Sequence, residues 1–139
     1  MMHQAGFMAD ALDKVAGKVC QVAPNGRRPI DDRSVAYRLG RSAARMEAAL
    51  SAPNIFGRVA LAQTMRDISP DLMDILGTAS ALPIGTDGAA DDGASEYIYR
   101  FAPLVGIYGG TLEVFRNMIA QYVLGLGKSN YSPPFPKAS

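Results

Sequence analysis

Apolar residues recur at three- and four-residue spacing along each long segment of this chain, and clusters rich in proline and glycine cut the segments apart. That pattern predicts helices and little else. Phe7, Ala11, Leu12, Val15, Ala16 and Val19 predict a first helix over residues 4–22, ended by Ala23-Pro24-Asn25-Gly26. Asp31 or Asp32 can cap a second helix running to about Leu50, with Val35, Leu39, Ser42, Met46 and Ala49 inward. Pro53 suits the first turn of a third helix, whose stripe is Ile55, Val59, Ala62, Met65 and Ile68 or Asp67. Pro70 lacks an N–H and clashes with the preceding turn, so a kink or restart is expected there. Leu72, Met73, Ile75 and Leu76 resume the pattern, and Gly77 can end the helix in a left-handed conformation.

Residues 79–94 hold Gly85, Gly88, Gly93 and Asp87, Asp91, Asp92, which predict a mobile surface loop. Their spacing lacks the alternation and terminal Glu of a calcium loop. A short helix is expected over residues 96–104, ending near Pro103. Gly109-Gly110 permits a tight turn, and Thr111 can cap a last helix. In that helix Leu112, Phe115, Ile119, Tyr122, Val123 and Leu126 fall on one broad apolar face. The fold class that follows is all-α: an antiparallel bundle of four or five helices over residues 1–131. Residues 132–139, with Pro133, Pro134 and Pro136, are expected to form an extended tail.

Composition narrows the chemistry. The 139 residues suffice for one domain with its own core. An apolar fraction of 48% against 19% charged excludes wholesale disorder. A net charge of +1 gives no support for nucleic-acid binding. Cys20 and His3 are the only residues of their kinds, so one chain can build neither a disulfide nor a Cys/His zinc site. Cys20 reads as a small core residue, and Arg33, Arg38, Arg41 and Arg45 as a solvated face with a few ion pairs. No apolar run is long enough to span a membrane, and residues 1–22 lack the charge pattern of a secretory signal. A cytoplasmic protein is expected.

The stretch Ile107-Tyr108-Gly109-Gly110-Thr111-Leu112-Glu113-Val114-Phe115-Arg116-Asn117-Met118-Ile119-Ala120, continued by Leu124-Gly125-Leu126-Gly127, resembles a known signature. It is similar to the I-Y-x-G-T-x-E/Q-I-x-R-N-x-I-A…L-G-L pattern of the acyl-CoA dehydrogenase C-terminal domain. Gly26-Arg27-Arg28-Pro29-Ile30 looks like the family's F-G-R-P-I turn, and residues 41–49 are similar to its L-A-D-M-A-x-R-V-E-A-A helix. Asp71 to Gly77 falls at its A-L-Q-x-x-G-G segment, and Tyr99-Arg100 resembles its Y-R-D. These enzymes have an N-terminal helical domain, a middle β domain and a C-terminal helical bundle. The resemblance covers the last alone, so a cut piece or the product of a shortened gene is expected.

The family chemistry implied is α,β-dehydrogenation of an acyl-CoA thioester. A carboxylate removes the α-proton and FAD takes the β-hydrogen as hydride. In many members a Glu fills the x of I-Y-x-G-T; here that position is Gly109, so no catalytic residue is assigned. In other members the Glu precedes the point that matches Met1. The resemblance implies FAD contacts at Gly110, Thr111 and Glu113, and substrate contacts at Tyr108 and Gly109. It gives no match for the family's R-x-x-F-G arginine, since Ala23, Pro24 and Asn25 stand there. Asp74 replaces the family's Gln, and Gly77-Thr78 its G-G. Such losses resemble the depleted subunits of heteromeric actinobacterial acyl-CoA dehydrogenases, including steroid side-chain degraders, in which a partner subunit completes the flavin site. Homo- or hetero-oligomers with acyl-CoA dehydrogenase subunits are the partners implied, acting on fatty or steroid side-chain acyl-CoA. The alternative is a non-catalytic oligomerisation or partner-binding module of the same descent.

Overall fold

A computed structural model describes residues 2–128, with the side chains of Met2 and His3 left aside. The Pro-rich tail expected over residues 132–139 lies outside the described residues. Five helices follow one another: α1 (Met2–Val19), α2 (Arg33–Ser51), α3 (Asn54–Leu76), α4 (Ala94–Val105) and α5 (Leu112–Met118). There is no strand among the described residues, which is the all-α class expected. None of the described helices is long and apolar enough to cross a membrane.

The centre of the bundle is α3. Leu61, Ala62, Met65, Ile68 and Leu72 are buried along it, against Met8, Leu12, Val15 and Val19 of α1 and Ile98, Ala102 and Val105 of α4. Each of these stripes follows the 3.6-residue repeat, so one face of each helix leaves water. Phe7 of α1 is set edge-on to Tyr97 of α4, ring centroids 5.3 Å apart. Lys14 approaches Asp92 at 3.9 Å, so α1 and α4 run antiparallel.

Capping follows the side-chain chemistry. The Asp32 carboxylate accepts from Ser34 N (2.7 Å) and Val35 N (3.3 Å), satisfying donors that the start of α2 leaves open. Gly77 ends α3 at φ +75°, ψ −159°, a positive φ as expected but with ψ outside the left-handed helical region.

Several expectations are corrected. The first helix ends at Val19, three residues short of residue 22. Cys20 is exposed, because it falls off the buried stripe of Val15 and Val19. α3 runs uninterrupted through Pro70, and α4 passes Pro103 to end at Val105. Both prolines lie on solvent faces, where water can serve the carbonyls of Arg66 and Tyr99 that lose a helical donor. Residues 79–94 are not simply a surface loop. They contain a 3₁₀ turn at Thr78–Ala81, and Asp91 is buried, accepting from Ser95 N (2.8 Å) and Ser95 Oγ (2.7 Å) at the start of α4. The last helix keeps its α form only to Met118 and becomes a π turn over Ile119–Val123, closed by Leu124 N donating to Ile119 O at 2.9 Å. The wider turn carries Tyr122, Val123 and Leu126 away from the core, where they stand 70%, 52% and 74% exposed.

The arginines of α2 are paired across to α3. Arg38 Nη2 lies 2.8 Å from both Asp71 Oδ1 and Asp74 Oδ2; Arg41 also binds Asp71, and Arg45 binds Asp67. Partial burial pushes the Asp71 carboxyl up, but hydrogen bonds and charge from Arg38 and Arg41 outweigh it and hold the group below its ordinary value. A carboxyl lowered on folding stabilises the fold above its unfolded pKa of about 3.9, and that contribution is lost as pH falls through the lower folded value. Asp71→Asn is therefore expected to lose about 1–3 kcal/mol at pH 7. The gap between variant and wild type should narrow as pH drops below about 4. Urea titrations at pH 7 and pH 3 check this, and an equal gap at both values would refute it.

Candidate functional site

The residues assigned by resemblance sit where α4 turns into α5. After Val105 the chain reverses. Ile107 N and Tyr108 N both donate to Leu104 O (3.0 and 3.1 Å), and Leu112 N donates to Gly106 O at 3.2 Å. Gly109 and Gly110 make the reversal at φ +71° and +120°, which non-glycine residues adopt only with strain. Beyond Gly109 the space a side chain would occupy is open, whereas a Cβ on Gly110 would meet the Phe115 ring at 3.3 Å. Thr111 is extended at φ −70°, ψ 163°, and its Oγ1 accepts from Val114 N at 3.3 Å. It is the cap expected for the last helix.

The inner side of this turn is held by α3. Arg58 Nη2 donates to Val105 O (2.6 Å) and to Tyr108 O (3.0 Å). Its guanidinium carbon lies 5.4 Å from the Tyr108 ring centroid and 5.2 Å from that of Phe115. Next to the turn, Gln63, Arg66, Asp67, Leu112, Glu113 and Arg116 line an open polar cleft of about 320 Å³. Arg116 Nη2 donates to Gln63 Oε1 at 3.2 Å, and Arg116 Nη1 is 3.9 Å from Glu113 Oε1. The Glu113 carboxyl is held below its ordinary value by its own backbone N–H first, then by the Thr111 hydroxyl and the charges of Arg116 and Arg66. It is an anion at neutral pH.

Tyr108, Gly109, Gly110, Thr111 and Glu113 are thus brought together on one turn and the first residues of α5. Asp74, Gly77 and Thr78 are not part of this group. They lie at the far end of α3, roughly 24–27 Å along the helix from Arg58 by its rise per residue. That end carries the Gly26–Ile30 turn, since Pro29 lines a cleft with Ile75 and Leu76. Sequence reading passed over Arg58, Gln63 and Arg66. Their signal was present: Arg58, Ala62 and Arg66 stand four residues apart, so two cations share a face of α3 beside its apolar stripe.

Residues 54–124, just over half of the chain, match the family described as "Acyl-CoA dehydrogenase, C-terminal domain". The chain is 35% identical over 80 residues to acyl-CoA dehydrogenase FadE26 of Mycobacterium tuberculosis, an alignment covering 58% of this chain and 19% of that protein. It superposes with TM-score 0.78 and 26% identity on a chain of the ChsE4-ChsE5 complex from Mycobacterium tuberculosis, covering 91% of this chain and 36% of that one. It therefore spans about a fifth of the curated relative and about a third of the solved chain. The chain belongs to the acyl-CoA dehydrogenase family, and its helices are those of the family's C-terminal domain.

Proposed function

We propose that this chain contributes oligomer contacts and one edge of a flavin site to an acyl-CoA dehydrogenase assembly, without supplying the catalytic base. The observation that carries the reading is Gly109. It holds the position of the family's Glu on an otherwise intact turn, with open space where a side chain would stand. A base must ionise and lie near the α-carbon, and a glycine can do neither. Proton abstraction then falls to a carboxylate from elsewhere in the assembly. The solved relative is a complex of two different proteins, which supports a heteromeric arrangement.

The residues at the turn fit FAD through backbone and hydroxyl rather than through a phosphate contact. Gly109 leaves open space in which a flat group can approach the main chain, and the Thr111 hydroxyl caps α5 beside the Glu113 carboxylate that it favours. Glu113 is exposed and ionised, and it repels a phosphate unless Arg116 and Arg66 screen it. FAD, when bound, supplies the hydride acceptor for α,β-dehydrogenation. Gly110, Thr111 and Glu113 are the contacts proposed toward it, and Tyr108 and Gly109 those toward the acyl-CoA. The substrate class is an acyl-CoA with a bulky acyl group, in fatty-acid or steroid side-chain breakdown, and the setting is the cytoplasm.

Co-expression with a Glu-bearing acyl-CoA dehydrogenase subunit tests the proposal. A stable complex with flavin absorbance is expected. A chain that captures neither partner nor flavin would favour the second reading, an oligomerisation module, which rests on the exposed apolar residues of the π turn. Gly109→Glu in the chain alone is expected to give no acyl-CoA turnover above background. The substitution meets open space, though at the strain of a side chain at φ +71°, and restores only one group of the site. Measurable dehydrogenation by that variant, followed with an artificial electron acceptor, would defeat the division of labour proposed.

A further inference from the structure

We propose that Arg58 is a positioning residue that fixes the Tyr108–Gly109–Gly110 turn in its flavin-facing form; the words flavin-facing rest on the function proposed above. The turn has little order of its own. Among the described residues, neither Gly109 nor Gly110 donates or accepts a backbone hydrogen bond. Both have positive φ, and glycine pairs populate many alternatives to any one such conformation. Backbone bonds to Leu104 O and Gly106 O close the loop around the glycine pair, and α3 adds a side-chain hold at the carbonyl directly before it.

Arg58 Nη2 reaches the carbonyls of Val105, at the end of α4, and Tyr108, directly before the glycine pair. Its planar guanidinium also lies against the Tyr108 and Phe115 rings. Lysine has no planar face to lay against the rings while it donates. A trans peptide directs its C=O and N–H to opposite sides, so anchoring Tyr108 O on α3 turns the Gly109 N–H outward. The direction of that donor is thus set by a residue some fifty positions away in sequence. Arg58 Nη1 is buried with no acceptor among the described residues. A neutral side chain filling the same space would avoid that unmatched donor, so an arginine whose only task was packing would be a poor choice.

The test uses the full chain with Arg58→Lys and Arg58→Met, and reads amide hydrogen exchange beside helical circular dichroism. Helicity and protection of Met65 and Ile68 are expected to match wild type. The amides of Tyr108 and Leu112 are expected to exchange about tenfold faster or more in both variants. Unchanged exchange at these amides would overturn the proposal. So would an equal loss of protection at Met65 and Ile68, which would make Arg58 an ordinary packing residue. Wild-type protection in Arg58→Lys would also overturn it, because charge alone would then suffice. A second arm measures FAD affinity of the complex with a Glu-bearing subunit, where about tenfold weaker binding is expected for Arg58→Lys. A loosened turn with unchanged FAD affinity would overturn the flavin-facing half of the proposal. A wild-type complex that binds no FAD would instead sink the proposed function, and the exchange arm would still decide the clamp.

Discussion

Gly93→Ala is expected to destabilise the bundle by about 2–5 kcal/mol. Two causes act together. Gly93 sits at φ +78°, where an L side chain costs about 1–2 kcal/mol. A Cβ there would also lie 2.3 Å from Ile84 N and 2.6 Å from Pro83 C. Those are backbone atoms, so relief requires moving the chain rather than turning a side chain, at about 1–3 kcal/mol more. The damage spreads to α4, because Asp91, two residues earlier, is the buried acceptor for Ser95 N and Oγ. Urea denaturation followed by circular dichroism measures the loss. A change below about 1 kcal/mol would mean that the segment before α4 moves aside freely, against the reading that Gly93 fastens it.

The second large effect is expected at Ile68, which has no exposed surface at the middle of the core. Ile68→Ala should cost about 3–5 kcal/mol, near the upper end for such truncations, because helices packed on several sides collapse poorly into a cavity. Ile68→Val should cost only about 0.5–1.5 kcal/mol. The pair of midpoints separates packing from helix propensity. Similar losses for Ala and Val would show that backbone preference, not the missing volume, governs this position. The site also tests how α3 survives Pro70. That proline sits two residues beyond Ile68 on the outer face, so apolar contacts on the inner face must outweigh the lost backbone bond.

How far the sequence could be read depended on whether the deciding force was local. Asp32 and Thr111 were legible as caps because a short polar side chain before an apolar run has one common use. Gly77 was legible for a similar reason. The interruption expected at Pro70 was misread because local rules weigh a lost hydrogen bond and ignore which side of the helix meets water, whereas the helix end expected near Pro103 came at Val105. Cys20 was misread by residue type: cysteine is usually buried, but its angular position on α1 decides. Asp91 was hidden among acidic neighbours, and only its partner Ser95 distinguishes it from exposed Asp87 and Asp92. The turn at residues 107–111 was legible through resemblance and through its glycines. Arg58 was not, because its partners lie about fifty residues away and are backbone carbonyls, which leave no mark on sequence.

The π turn at Ile119–Val123 has a consequence for how this surface can change over generations. Such a turn holds one more residue than an α turn of the same height, as if an amino acid had been inserted into an existing helix. Taking one residue out would rotate everything after it by about 100° and swing Tyr122, Val123 and Leu126 to a new bearing. Substitutions alter what this face presents, but a one-codon deletion alters where it points. Among homologous chains, gain or loss of a single residue in this segment is thus an abrupt route to a differently aimed apolar surface, with the five-helix core left as it stands.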